Sequence, residues 1–308
     1  MRIALLGRTK ALLAAARPLI EAGHQIPLIG TCKAESHYGA DEFDFRNLSR
    51  DIGADFFSSP KLNDPNRTEQ LERANCDIAL SVNWPIIIGE KSCEVFSKGI
   101  LNAHLGDLPR YRGNACPNWA ILNDEKFVGL CLHRMEPNNL DTGPVLQRIH
   151  MEISEKTYVG DVYSWFEKSL PGLAVDAMKK LDRLGEDAFI QQSRDPSAWL
   201  RCYPRRNEDS RIDWLKPASE VLRLIRASSH PFGGAWTLLE GQIRIDIWRA
   251  KVFYHKGDFL AIPGQVMLSK NGEPIIACGE GALRVTQATA EQNDARALIS
   301  KSLRARLI

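Results

Sequence analysis

Asn102 and His104, with Asp141 37 residues further on, place an amide, an imidazole and a carboxylate in one stretch rich in Gly and Pro. The run reads LNAHLGDLPRYRGNACPNWAILN and later LDTGPVLQ. A neutral amine attacking an acyl carbon needs such a set. One group stabilises the oxyanion, one moves protons, and a third orients and tunes the mover. In an extended segment, residues two apart point to the same side. Asn102 and His104 are therefore expected in one cavity, with Ala103 facing away. Taken bare, Asn-x-His is a weak signal, because two short polar residues near a strand end are also ordinary turn or packing residues.

The trio needs a rigid frame, and the flanking segments supply one. Gly99 to Leu101 reads as the end of a buried strand, and ligands of open α/β sheets bind at the carboxyl ends of strands. MRIALLG is expected as a first strand, Lys10 to Ala22 as a helix, and residues 24–32 as a second strand. Residues 49–59 suggest a helix end and a short third strand near Phe56, followed by a helix over 68–76 and strands over 77–83, 100–103 and 128–135. Residues 159–185 carry apolar side chains at helical spacing, a long helix open to a break at Pro171. Strands alternating with helices imply an α/β fold, a mostly parallel Rossmann-like sheet with helices on both faces, over residues 1–200. Gly7-Arg8-Thr9 ends the first strand without a G-x-G-x-x-G pattern, so no dinucleotide site of that kind is expected there. Beyond residue 200 the pattern turns to short strands at 242–252, 264–269, 273–280 and 282–287. Turn residues separate them at Gly257, Pro263-Gly264 and Asn271-Gly272, the last a strong hairpin signal. Residues 201–308 are therefore expected to form a small β-barrel-like, OB-like carboxy-terminal domain.

The chain has 308 residues, 44% hydrophobic and 25% charged, with a net charge of +2. That size favours two domains and that composition a globular enzyme. The charge neither demands nor excludes nucleic acid. The amino terminus is too polar for a spanning helix or a signal peptide. Seven cysteines at scattered spacings fit reduced thiols and a cytoplasmic setting better than a disulfide framework. No Cys-x-x-Cys pair or His/Cys cluster has zinc spacing, so no metal is expected.

The wider run resembles the folate-dependent formyltransferase family. The family pattern is Asn-x-His, then Leu-Pro-x-aromatic-basic-Gly, a Pro, a Trp or Gln, and later Asp-x-Gly. Its counterparts here are Asn102, His104, Leu108-Pro109, Tyr111-Arg112-Gly113, Pro117, Trp119 and Asp141-Thr142-Gly143. The second half is similar to the carboxy-terminal domain of such enzymes at Arg206, Ser210 to Trp214, Ala218 to Ala227 and Pro231 to Ala235. The resemblance implies a formyl transfer from 10-formyltetrahydrofolate to a primary amine, with Asn102, His104 and Asp141 as the catalytic residues. It implies that Ser81, Val82, Asn83, Trp84 and Ile86, together with Asn138, Asn139, Leu140 and Asp141, form the slot for the pterin.

Tyr111, Arg112 and Gly113 are read either as acceptor contacts or as a turn that frames the site. Trp84 and Trp119 either stack on a ligand or fill the core. His133, on an expected buried strand, reads as structural.

The resemblance leaves the acceptor open. RGNACPNWAILN looks more like the nucleotide-sugar group than the tRNA group. The family's tRNA enzymes carry a basic loop after the second strand, where this chain has Glu35, Asp41, Glu42 and Asp44 against Lys33 and Arg46. A nucleotide-linked amino sugar is therefore the expected acceptor. The alternatives are charged initiator tRNA, a hydroxyornithine-type amine, or a folate-binding sensor without turnover. The β domain would bind a second nucleotide, mediate a homodimer, or serve only as packing.

Overall fold

The computed structural model describes residues 1–255 and 257–308. The chain divides into two compact units. One comprises Met1–Cys116, Phe127–Glu152 and Tyr163–Cys202; the other comprises Pro117–Lys126, Ile153–Val162 and Tyr203–Ile308.

The first unit is built on a seven-stranded sheet. Its elements run β1 (Arg2–Gly7), α1 (Lys10–Glu21), β2 (Gln25–Thr31), α2 (Glu42–Ile52), β3 (Asp55–Ser58), α3 (Pro65–Ala74), β4 (Ile78–Val82), α4 (Glu90–Glu94) and β5 (Ile100–His104). There follow β6 (Arg112–Gly113), β7 (Phe127–Arg134), β8 (Val145–Glu152), α6 (Val159–Leu184, its first turn counted in the second unit) and β9 (Arg201–Cys202), while α5 (Cys116–Leu122) lies almost wholly in the second unit. Strand order is β3-β2-β1-β4-β5-β7-β8. The pairs from β3 through β5 are parallel, and β7 and β8 join antiparallel. The alternating strands and helices thus fold as the mostly parallel sheet their order implies, with an antiparallel edge.

Each central strand is apolar because both faces are covered. β4 is buried at every position. α1 buries Ala11, Leu12, Ala15, Ala16 and Leu19, a stripe at helical spacing that lies in the same core cluster as Leu5, Leu80 and Leu101. Thr9 caps it by accepting from the Leu12 N–H. α6 runs through Pro171 without a break, contrary to the interruption that proline allowed. Leu170, Leu173, Ala174, Ala177 and Met178 on both sides of that proline are packed into the same core cluster, which outweighs the missing hydrogen bond.

Of these elements α4, α5, β6, β8 and β9 were not expected from the sequence, and of α2 only the end was. The start of α2 also accounts for the acidic segment. Asp41 caps the helix, accepting from the N–H groups of Phe43 and Asp44, and Asp44 closes a capping box on the Asp41 N–H. Glu42 lies in the first turn, where the helix dipole favours negative charge. Three of the four carboxylates read as opposing a phosphate backbone are thus explained by the start of a helix.

The second unit carries α7 (Ala218–Ser228) and the antiparallel strands β10 (Ala235–Leu239), β11 (Ile243–Phe253), β12 (Val266–Lys270), β13 (Glu273–Ala277), β14 (Ala282–Ala290) and β15 (Asn293–Asp294). Sheet order is β10-β11-β14-β13-β12, with β15 on β14. Asn271 and Gly272 turn β12 into β13 with φ of 55° and 75°, the positive values a tight two-residue hairpin demands. Val221, Leu222 and Ile225 of α7 share a core with Ile245, Ile247, Leu283 and Val285. Among the described residues, no helix is long and apolar enough to cross a membrane.

Candidate active site

β5 presents Asn102 and His104 as its period of two requires. Leu101 and Ala103 enter the core cluster with Leu80 and Leu132, so the even-numbered residues face the other way. The neighbouring strand does the same. Asn102 lies opposite His133 and His104 opposite Cys131, while Leu130 and Leu132 are core. A register shift between β7 and β8 falls at Leu132/His133, the kind of irregularity that re-aims a side chain next to a site. His133 thus joins the trio. Its parity on β7 matches that of Asn102 on β5, which brings this buried histidine against the trio.

Asp141 reaches this group from the loop before β8. It is buried and stands at φ 55°. Its Oδ2 accepts from the Gly113 N–H at 2.8 Å and lies 3.5 Å from Nδ1 of His104. Its Oδ1 lies 3.3 Å from Nε2 of His133 and 3.4 Å from Nδ2 of Asn102. Burial alone would raise the Asp141 pKa, but the two imidazoles and the Gly113 N–H hold it well below the usual carboxylate range. Burial pushes His104 down from its ordinary value, with Asp141 opposing. Near neutral pH the pair is therefore a carboxylate beside a neutral ring.

Hydrogen-bond partners set the proton positions. Nε2 of His104 is 2.6 Å from the Tyr111 carbonyl, so that nitrogen carries the hydrogen and Nδ1 holds the lone pair. A proton arriving on the ring goes to Nδ1, beside Asp141. Nδ1 of His133 donates to the Arg134 carbonyl at 3.0 Å, which leaves its Nε2 to accept from Asn102 at 3.2 Å. Both hydrogens of the Asn102 amide are thus engaged, by His133 and by Asp141. One must be released before Asn102 can hold an oxyanion.

The turn between β5 and β6 is shaped by close approaches. The Leu108–Pro109 bond is cis and Tyr111 has φ 56°, an uncommon state for a bulky residue. A Cβ on Gly106 would sit 2.5 Å from Nε2 of His104 and overlap the Tyr111 carbonyl, so only glycine admits that hydrogen bond. From β8, Arg148 reaches Asp107 at 3.1 Å and also bonds the Leu108 carbonyl. His150 reaches Asp107 at 3.0 Å. The strand absent from the sequence reading therefore props the turn that aims His104.

The other expected site residues are dispersed. Tyr111, Arg112 and Gly113 meet the trio through the backbone groups of Tyr111 and Gly113, which agrees with their reading as a frame. Trp119 belongs to the second unit, where its indole N–H bonds the Tyr203 carbonyl. Ser81 and Val82 are fully buried on β4. Ser81 stands beside Asn102 in the register, and its Oγ has no partner. Asn83 follows at φ 54°, its carbonyl held by Arg8 at 2.9 Å. Trp84 and Ile86 line a cavity of about 240 Å³ with Pro60, Lys61, Leu62, Asn63, Asp64 and Ile87. Asn138 and Asn139 are exposed in a turn, with Leu140 half-buried beside Asp141. Among the described residues, no group of three or more His, Cys, Asp or Glu side chains is placed to hold a metal.

A half-buried amide beside a buried imidazole and carboxylate, at the carboxyl end of a strand in a mostly parallel α/β sheet, is a set suited to acyl transfer. Comparison with known proteins narrows the class. Residues 13–177 match the family model "Formyl transferase" and residues 205–298 match "Formyl transferase, C-terminal domain". The methionyl-tRNA formyltransferase of Agathobacter rectalis is 26% identical over 290 residues, 93% of this chain and 91% of that one. The Aquifex aeolicus HypX structure with tetrahydrofolic acid superimposes with a TM-score of 0.66 at 17% identity over 96% of this chain. This chain spans about half of HypX, 46%. The Helicobacter canadensis N-formyltransferase with folinic acid and dTDP-3-aminofucose gives 0.64 at 15% identity, covering 93% of this chain and 99% of that one. The chain belongs to the folate-dependent formyltransferase family and is a formyltransferase.

Proposed function

We propose that the protein moves a formyl group from 10-formyltetrahydrofolate to the primary amine of a nucleotide-linked amino sugar. The observation that carries the transfer chemistry is the single polar network of Asn102, His104, His133 and Asp141 on one face of β5 and β7. The acceptor amine attacks the formyl carbon, and the new C–N bond forms as the carbonyl electrons move onto oxygen. Asn102 hands one amide hydrogen from its resting partners to that oxyanion. Nδ1 of His104 takes the proton leaving the amine, directly or through water, and Asp141 stabilises the imidazolium. The same proton then passes to the departing nitrogen as the old C–N bond breaks. No covalent intermediate on the protein is needed. Trp84 and Ile86, which line the cavity beside the β4 loop, are assigned to the donor.

The RGNACPNWAILN run supports the sugar acceptor. A second reading, charged initiator tRNA, draws on the methionyl-tRNA formyltransferase relatives. Residues 203–308 also carry 16 Lys and Arg against 11 Asp and Glu, a balance that suits phosphate. The capping role of Asp41 and Asp44 gives those carboxylates a structural purpose, while both remain exposed and charged.

The test is formyl transfer from 10-formyltetrahydrofolate to a panel of dTDP-, GDP- and UDP-linked amino sugars, with charged initiator tRNA in parallel. Turnover of a sugar supports the first reading. Turnover of tRNA alone replaces it with the second, and no turnover of any amine removes both.

A further inference from the structure

Gln192 lies 51 residues beyond Asp141, in a segment with no regular structure. Its amide uses its entire hydrogen-bonding capacity. Nε2 donates to the Asp141 carbonyl at 2.9 Å and to the Gly143 carbonyl at 2.7 Å. Oε1 accepts from Nε and Nη2 of Arg112 at 3.2 and 2.7 Å. The guanidinium fixes which end of the amide is oxygen. Two carbonyls at the other end require the nitrogen there.

These bonds close a ring. Arg112 precedes Gly113, whose N–H holds Oδ2 of Asp141. Asp141 is thus gripped at its carboxylate by β6 and at its carbonyl by an amide that β6 also anchors. The grip is in register. Val145 and Ile190 exchange both backbone hydrogen bonds at 2.8 Å, and stepping two residues along each antiparallel segment sets Gly143 opposite Gln192. Asp141 needs such a hold, since its φ of 55° is sparsely populated without local support. Arg112 is steadied in turn by lying over the Trp199 ring, 4.9 Å from its centroid.

We infer that Gln192 is a positioning residue, which holds the Asp141 backbone so that its carboxylate faces His104. The inference rests on the reading that Asp141 tunes His104. Gln192→Met keeps the bulk and loses all four hydrogen bonds. Gln192→Asn keeps an uncharged amide but shortens its reach by one methylene, so it cannot hold Arg112 and both carbonyls together.

The experiment uses the full chain without any acceptor. The titration of His104 is followed by imidazole NMR in wild type, Asp141→Asn, Gln192→Met, Gln192→Asn and the double variant Asp141→Asn/Gln192→Met. Melting temperature is recorded for each. The titratable groups facing His104 are Asp141, His133 and Cys116. Because the Asp141 charge favours the protonated ring, its displacement moves the His104 midpoint to lower pH. The expected result is a downward shift in Gln192→Met and Gln192→Asn, and no further shift when Gln192→Met is added to Asp141→Asn. An unchanged His104 midpoint in the Gln192 variants, with or without a lower melting temperature, makes Gln192 merely structural and overturns the inference. Equal extra shifts in the presence and absence of Asp141 overturn it as well. An unchanged midpoint in Asp141→Asn instead defeats the underlying reading of Asp141. Should Gln192→Met fail to fold, Gln192→Asn, which adds no charge, decides the same question.

Discussion

Replacing His133 by Leu tests whether this histidine belongs to the catalytic network. His133 is 1% exposed. The change removes the bond to the Arg134 carbonyl at 3.0 Å and the acceptor for the Asn102 amide at 3.2 Å. Each lost hydrogen bond is worth about 1 kcal/mol net, and the stranded Asn102 N–H costs about 1–3 kcal/mol more. The apolar surface of Leu offsets part of this, which leaves a loss of roughly 2–4 kcal/mol. In a unit of this size the melting temperature should fall by roughly 5–15 °C. Asn102 would also lose the partner that orients it. A misplacement worth about 1.4–2.7 kcal/mol in the transition state slows turnover roughly 10- to 100-fold. Differential scanning calorimetry and formyl-transfer kinetics on the same preparations measure both effects. His133→Gln, which retains a donor and an acceptor, should recover part of each. A Leu variant that melts within about 1 °C of wild type and keeps more than about half its turnover would refute the reasoning.

Further outcomes follow from the same geometry. Gly143→Ala places a Cβ onto the Arg134 carbonyl and should cost at least about 2 kcal/mol in a urea titration; an unchanged midpoint would mean the loop yields freely. The folded-state pKa values of His104 and His24 are lowered, chiefly by burial. Their contribution to stability is full above the unfolded value of about 6.5 and is lost as pH falls through the folded values. Asp141, also lowered, retains its contribution until pH drops below about 3.9. The urea midpoint should therefore fall between pH 7 and 5, and less so in His104→Asn; a flat profile would contradict the burial of these rings. Asp44→Ala breaks the capping box of α2 and should cost about 1 kcal/mol while leaving the KM of every substrate unchanged. A shifted acceptor KM would place that segment in contact with the acceptor. Trp84→Ala should raise the KM for the formyl donor and spare that for the acceptor, as read from initial rates with each substrate varied in turn.

The alternating pattern of apolar strands and helices was legible because each central strand is buried on both faces, and burial on both faces leaves a continuous apolar run. β8 escaped notice for the opposite reason. Beyond Leu146 it alternates half-buried and exposed residues through QRIHME, a mixed sequence that owes its strand to pairing with β7. Of α2 only the end was read, because the helix is polar overall and only Phe45 and Ser49 are buried. Its acidic start was legible as charge, but the capping role that explains the charge required the backbone to be seen. Pro171 signalled a break that packing on both of its sides overrides.

By itself the sequence determined that Asn102 and His104 would share a face, because the period of two along a strand is a local property of extended backbone. It also determined the Asn271-Gly272 hairpin, since a residue pair that tolerates positive φ decides a tight turn locally. The completion of the site was decided only by tertiary structure. His133 and Asn102 meet because β7 pairs with β5 in a particular antiparallel register, and Asp141 arrives from a loop held by Gly113 and Gln192. Registers and loop anchors join residues 28 to 51 positions apart, and no local preference of the chain encodes such a distance. They follow from which faces must be buried together, and that is settled only when the whole sheet assembles.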